Sequence, residues 1–194
     1  MYDRIIGQVV DRQPARAVIL AGGVGYELKI SIPTSSSLRV GQESQLFTIL
    51  HVVDGNPTLL GFATKTERSL ARKLLSVSGV GPAMTLAILS TWSPEEVAGA
   101  IIGGESAVLQ RVKGVGARTA ERLCLELRDQ VAKMDLNVAP GTGPTLLPQT
   151  AEDAVAALLS LGYTEKEASK RVNVAYGKRP DADTEELIKS VLRG

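Results

Sequence analysis

The feature that most constrains the fold is a five-residue motif that occurs twice, 35 residues apart. Val77–Gly81 reads Val-Ser-Gly-Val-Gly, and Val112–Gly116 reads Val-Lys-Gly-Val-Gly. Each copy is flanked by apolar residues at helical spacing, most clearly in the run from Ala120 to Val131. Because paired glycines permit a tight turn and leave no side chain over the backbone, each copy predicts two helices joined by a short loop.

A loop of this kind can bind a phosphate through its backbone, because its free N–H groups and the start of the second helix point outward together. Two copies predict a tandem helix-hairpin-helix, which is typical of DNA binding without sequence specificity, since phosphates carry no base code. The first copy has Ala83 and Met84 in place of a basic residue, so we expect it to bind phosphate mainly through its backbone. The predicted DNA-binding residues are Gly79, Val80, Gly81, Lys113, Gly114, Val115, Gly116, Arg118 and Arg122.

The distribution of charge agrees with an anionic partner for the middle of the chain. The net charge of the whole chain is only +1, but residues 65–133 carry ten Lys or Arg against seven Asp or Glu, which is +3. A single cysteine, Cys124, cannot form an internal disulfide, and with His51 it cannot supply a zinc ligand set. We therefore expect a cytoplasmic protein without a metal or cofactor, and we expect Cys124 to lie in the core.

Residues 1–64 have the pattern of a small barrel. From Val24 to Ile32 every even position is apolar, which predicts a strand with one buried face. Four further β-rich runs are separated by turn residues: Ile5 to Val10, Ala17 to Leu20, Leu46 to Val53 and Thr58 to Phe62. Five short strands in about 60 residues favour a five-stranded OB-fold barrel, in which closure removes most exposed edges.

The rest of the chain is predicted to be helical apart from one linker, so the fold class is α+β with several domains. We predict a tandem helix-hairpin-helix domain over 65–134, a flexible linker over 135–150 and a three-helix domain over 151–194. The linker is rich in proline and glycine and has no helical or strand period. Helix starts with capping boxes are predicted at Ser93 and Thr164.

Enzymatic alternatives lack the residues that they need. The chain has no Gly-x-x-x-x-Gly-Lys-Ser/Thr loop for ATP, and no clustered carboxylates suggest a nuclease metal site. Asp129 follows the second motif, as the catalytic aspartate of a glycosylase does. Its spacing from the apolar residues of this helix places it on the helix surface. A general single-strand-binding barrel would need exposed aromatic residues for stacking. Both alternatives, a repair enzyme and a single-strand-binding protein, stay open at this point.

The whole chain resembles the RuvA family, the Holliday-junction-binding subunits of the bacterial RuvAB branch-migration complex. The resemblance covers the order of barrel, double hairpin, linker and three-helix tail. Stretches that resemble family hallmarks are Met1-Tyr2 with Ile5-Ile6-Gly7, Leu59–Phe62, Gly79–Pro82 followed by Leu86–Ser90, Gly114–Gly116 followed by Arg118–Leu123, and Leu161-Gly162-Tyr163.

This resemblance implies a non-catalytic homotetramer that can pair face to face into an octamer and that holds a four-way DNA junction open on a flat basic face. It implies that the tail docks on RuvB, an ATP-driven hexameric motor, through Leu158, Leu161, Tyr163 and Leu192; the RuvC resolvase is a further partner to consider. The leucines could equally form the tail's own core. Family members carry adjacent acidic residues at a barrel hairpin, the acidic pin, and here only Asp54 remains.

Overall fold

A computed structural model describes residues 2–53, 55–134, 149–179 and 182–193. Its chain forms two compact units, Met1–Pro144 and Thr145–Gly194. In the first unit the strands are β1 (Arg4–Gln13), β2 (Arg16–Ala21), β3 (Val24–Ile30), β4 (Glu43–Val53) and β5 (Asn56–Phe62). The helices of this unit are α1 (Ile32–Ser37), α2 (Lys65–Ser76), α3 (Pro82–Thr91), α4 (Pro94–Gly103), α5 (Ser106–Gln110) and α6 (Ala117–Ala132). Those of the second unit are α7 (Gln149–Ser160), α8 (Glu165–Lys178) and α9 (Thr184–Arg193).

The five strands close into a barrel in the order β1-β2-β3-β5-β4, which confirms the predicted OB-type barrel. The contact between β3 and β5 is parallel and the other four contacts are antiparallel. One predicted boundary is wrong: the third strand ends at Ile30 and does not continue to Ile32. Ser31 caps α1 by accepting from the Thr34 N–H, and Pro33 in the first turn has no N–H to give to a sheet.

The helical part of the first unit shares its core with the barrel. Leu60 and Phe62 of β5 are fully buried in the same apolar cluster as α2, α3, α4 and α6. The predicted stripe on α6 is confirmed, because all five of its members are buried: Ala120, Leu123, Cys124, Leu127 and Val131. The barrel has its own inner core, which includes Val9, Ile19 and Leu28. The four-segment division of the chain stays a prediction, since the barrel and the hairpins form one compact unit.

The second unit is a three-helix domain with a separate core, and its central residues are Leu158, Val172 and Leu187. The predicted capping boxes at Ser93 and Thr164 are both present. Residues 135–148 of the predicted linker lie outside the described residues, and α7 already begins at Gln149, inside its predicted range. Among the described residues, no helix is long and apolar enough to cross a membrane.

A buried carboxylate ties the barrel to α2. Glu67 is 6% exposed, and its oxygens accept hydrogen bonds from the Ser31 hydroxyl (2.6 Å), the Thr34 hydroxyl (2.9 Å) and the Ala63 N–H (3.1 Å). Burial of a carboxylate is costly unless hydrogen bonds replace its water. These three donors come from the start of α1 and the end of β5, so Glu67 fixes where the first hairpin helix leaves the barrel.

We expect Glu67→Ala to lower the free energy of unfolding by about 2–4 kcal/mol, because it removes the carboxylate acceptor of the buried Ser31 and Thr34 hydroxyls. Urea unfolding followed by circular dichroism measures this change. The exposed Glu43 provides a matched control, and Glu43→Ala should stay within about 0.5 kcal/mol of the unaltered chain. Equal stabilities of the two variants would show that the Glu67 hydrogen bonds do not hold this junction.

Candidate nucleic-acid interface

The two glycine motifs form loops of the same geometry, which we call the first hairpin loop (Val77–Gly81) and the second hairpin loop (Val112–Gly116). In the first, the Val80 N–H donates to the Val77 carbonyl at 3.0 Å, and in the second the Val115 N–H donates to the Val112 carbonyl at 3.0 Å. Gly79 has φ +84° and Gly114 has φ +94°, a conformation that other residues adopt only with strain. The first glycine of each motif is therefore required by the turn itself.

Four valines anchor the loops in the shared core. Val77, Val80, Val112 and Val115 are each at most 5% exposed. The side chains of Val80 and Val115, which were among the predicted DNA-binding residues, thus point into the protein and serve as anchors. The residues between the anchors are exposed, and so the backbone of each loop forms the surface.

Each loop leads into a helix that begins without a side-chain cap. Gly81 is the N-cap of α3 and Gly116 is the N-cap of α6, and within the described part of the chain neither helix start has a side-chain cap hydrogen bond. In contrast, α1, α2 and α4 of the same unit are capped by serine or threonine side chains. The first N–H groups of α3 and α6 have no partner within the helix, so they remain available to an anion.

The second glycine of each motif has a different role from the first. Gly81 has φ −99° and Gly116 has φ −83°, which any residue can adopt. A Cβ atom added at either position would have no atom of the described residues within 4 Å, apart from its chain neighbours. Neither backbone conformation nor packing requires glycine here, and the space over these residues is open to a ligand.

The predicted basic residues divide into two groups. Lys113 and Arg118 are exposed beside the second hairpin loop. Arg122 is half-buried, and its guanidinium donates to the Ser78 carbonyl of the first hairpin loop at 3.0 Å, with the Glu126 carboxylate at 3.8 Å. Arg122 therefore joins the two loops. This contact could not be predicted from the sequence, because the partners are 44 residues apart.

The residues that an enzymatic alternative would use are few among the described part of the chain. No group of three or more His, Cys, Asp or Glu side chains among them could hold a metal ion. Burial, and to a lesser degree the negative charge of Glu105, raises the pKa of the Cys124 thiol, as expected for the predicted core cysteine. Asp129 is exposed on α6.

The barrel also offers few platforms for stacked bases. Phe62 is fully buried and Phe47 is 7% exposed. Tyr2 and Tyr26 form an edge-to-face pair with ring centroids 6.3 Å apart. This arrangement disfavours the alternative of a single-strand-binding protein that relies on stacking.

The residues predicted to dock a motor differ in exposure. Leu158 is fully buried in the core of the second unit, so it supports the domain and presents no surface of its own. Leu161 is 60% exposed and Leu192 is 53% exposed. Tyr163 is half-buried, and the Arg171 guanidinium lies 5.4 Å from its ring centroid. The predicted acidic-pin residue, Asp54, lies outside the described residues.

Comparison with known proteins covers all three parts of the chain. Residues 1–61 match the RuvA N terminal domain, residues 71–129 the SAM-like helix-hairpin-helix tandem, and residues 149–194 the RuvA C-terminal domain. The "Holliday junction branch migration complex subunit RuvA" of Marinomonas sp. (strain MWYL1) is 41% identical over 199 residues, with all of this chain and 98% of the relative aligned. Proteins of the same name from Christiangramia forsetii and Yersinia pestis are 36% and 37% identical, again over the whole chain.

Proposed function

The chain belongs to the RuvA family, and from that premise we propose that it binds four-way DNA junctions without sequence specificity and holds them open for branch migration in recombination and DNA repair. The observation that carries this proposal is the pair of hairpin loops. They share one core, have the same turn geometry and lead into helices whose first N–H groups are free. Two such loops on one rigid unit can bind two phosphates of one DNA arm.

A comparison of a four-way junction with a linear duplex of equal length tests this proposal. We expect much tighter binding of the junction, whatever its sequence, because only the junction presents arms to several copies of the chain at once. Affinity should fall steeply with salt, with a log–log slope of about −0.9 for each neutralised phosphate. Gel shifts or fluorescence anisotropy at several salt concentrations measure both quantities, and equal affinity for the two DNAs would refute the proposal.

The second unit is proposed to recruit RuvB, the ATP-driven motor. Leu161 and Leu192 are large apolar side chains left on the surface of a small domain, as an apolar docking surface requires. Tyr163 lies next to Leu161 in the chain and adds a half-buried ring. In this proposal ATP hydrolysis belongs to the motor and the chain itself is a non-catalytic subunit. RuvC resolvase is a further proposed partner.

We propose a homotetramer as the working assembly, with one copy on each arm of the junction, and a second tetramer that can close over the opposite face of the DNA. Leu125 supports further association, because it is 83% exposed on α6 although the neighbouring stripe of this helix is buried. The proposed location is the bacterial cytoplasm. Light scattering with and without junction DNA determines which of the two assemblies forms.

The acidic pin remains a hypothesis about Asp54. Four copies of this carboxylate near the centre of the tetramer would repel phosphates by at most about 1 kcal/mol per close pair in water, and by less once salt screens them. Such repulsion would keep the strands apart at the crossover. With one acidic residue in place of two adjacent ones, we expect this effect to be weaker than in relatives with a complete pin. The sequence Asp-Gly-Asn-Pro that starts at Asp54 is also typical of a turn, where aspartate is common for reasons of backbone geometry.

A further inference from the structure

A groove on the barrel runs beside the first hairpin loop. It has a volume of about 400 Å³, and one wall is formed by Pro82 and Ala83, the first two residues of α3. The other wall comes from the barrel and includes Lys29 of β3 and His51 of β4. The groove therefore lies where a phosphate bound by the first hairpin loop would be found.

Strand register explains why these barrel residues face the groove. Along β4 and β5, the pairs Phe47 with Phe62, Ile49 with Leu60 and His51 with Thr58 follow one another at alternate positions. Residues at alternate positions share a face of a sheet. Leu60, Phe62 and Ile49 belong to the core beneath the helices or pack against it, and Phe47 is buried. The third pair is therefore the point at which this covered face opens to solvent.

Lys29 reaches the same place from the neighbouring strand, because β3 pairs with β5 in parallel and Lys29 lies beside Leu60. Leu28 and Ile30 on either side of it point into the barrel, so Lys29 points outward. The side chains of Lys29 and His51 form no hydrogen bond or ion pair with any described residue. Their donors remain available to a ligand.

The first hairpin loop lacks the basic residues that the second hairpin loop has in its own sequence. Lys113 and Arg118 provide two exposed cations at the second loop, whereas the corresponding region of the first offers Ser78 and Ala83. Pro82 also removes one of the N–H groups with which α3 could bind an anion. A phosphate at the first loop would thus be held by few donors unless another element supplied them.

We infer that Lys29 and His51 provide the missing side of this site, so that the DNA phosphodiester at the first hairpin loop is bound jointly by the start of α3 and by the barrel. Lys29 offers an ammonium group, and the His51 imidazole offers at least one N–H donor. The barrel is then part of the DNA-binding surface in every copy of the chain. This inference rests on the proposed DNA-binding function and assigns two further residues to it.

The test uses the full-length protein with Lys29→Gln, His51→Asn and the double variant, each titrated against junction and duplex DNA. Both residues lie at the surface, and so thermal unfolding should be unchanged. We expect Lys29→Gln to weaken binding about three- to tenfold at low salt and to lower the log–log salt slope by about 1, with a larger loss in the double variant. The matched control is Lys133→Gln, which removes the same charge at the far end of α6, about 24 Å along that helix from the second hairpin loop, and should bind normally.

A rescue experiment separates the groove from a general effect of charge. Ala83 is exposed on the opposite wall, so Ala83→Lys in the Lys29→Gln background returns an ammonium group to the same groove and should restore both affinity and salt slope. Unchanged affinity and slope in the double variant would overturn the inference. If the unaltered protein bound duplex and junction equally, the proposed function would fail, while the salt slopes on duplex would still decide the role of Lys29.

Discussion

A chain carrying Gly81→Val and Gly116→Val is expected to keep its fold and to lose junction binding by roughly 100-fold or more, since about 1.5–3 kcal/mol is at stake for each hydrogen bond to a charged phosphate. Both positions have ordinary extended backbone, and both have open space where the new side chain would go. The branched side chains would instead occupy the space that a phosphate needs in order to reach the free N–H groups of α3 and α6.

The choice of these two glycines makes the experiment decisive. Gly79 and Gly114 have positive φ, so any substitution there adds strain of about 1–2 kcal/mol per residue and confuses loss of fold with loss of binding. Gly25→Val in β3 is a suitable control, because its Cβ would be 3.5 Å from Val18, an ordinary contact. The double variant is compared with this control by thermal unfolding and by junction titration. Normal binding by a folded double variant would show that the loops do not contact DNA through these N–H groups.

Removal of the second unit is expected to separate binding from migration. A chain that ends at Met134 retains the barrel core and the hairpin core, because neither includes a residue of the tail. Its junction affinity should remain within about threefold of that of the full chain, since the proposed phosphate contacts all lie in the first unit. Stimulation of ATP-driven branch migration by RuvB should be lost, because the proposed docking residues are gone.

A point variant distinguishes loss of docking from loss of the domain. Leu161→Asp with Leu192→Asp alters two exposed side chains and should leave the three-helix core intact. We expect this variant to bind junctions normally and to stimulate RuvB as poorly as the truncated chain does. Leu158→Asp is different, because it places a charge in the core and should unfold the unit. Full branch-migration activity of the truncated chain would refute the docking role of the tail.

Local features of the site were predictable, and contacts across the fold were not. The hairpin loops could be predicted because a tight turn between helices has its own glycine pattern, and the stripe on α6 because burial has a helical period. The strand error at Ser31 arose because an alternating apolar pattern continued into a residue that caps a helix. Capping and the following proline outweighed that pattern.

The groove beside the first hairpin loop could not be found from the sequence. Lys29 and His51 are on different strands, and they come together only through the register of β3, β4 and β5. The exposure of individual leucines in the tail could not be predicted from the sequence either. Leu158 and Leu161 are three residues apart, but Leu161 falls just after the end of α7, and so the helical pattern no longer fixes its direction.

The hydrogen bond from Arg122 to the Ser78 carbonyl fixes the spacing between the two hairpin loops. Because α6 starts at one loop and holds the other, and because both loops are anchored in one core, the distance between the two phosphate sites is set before DNA arrives. The affinity for a DNA arm then depends on the spacing of its phosphates. An arm whose backbone is stretched or locally melted would not lose one contact and keep the other; it would lose the fit of both at once.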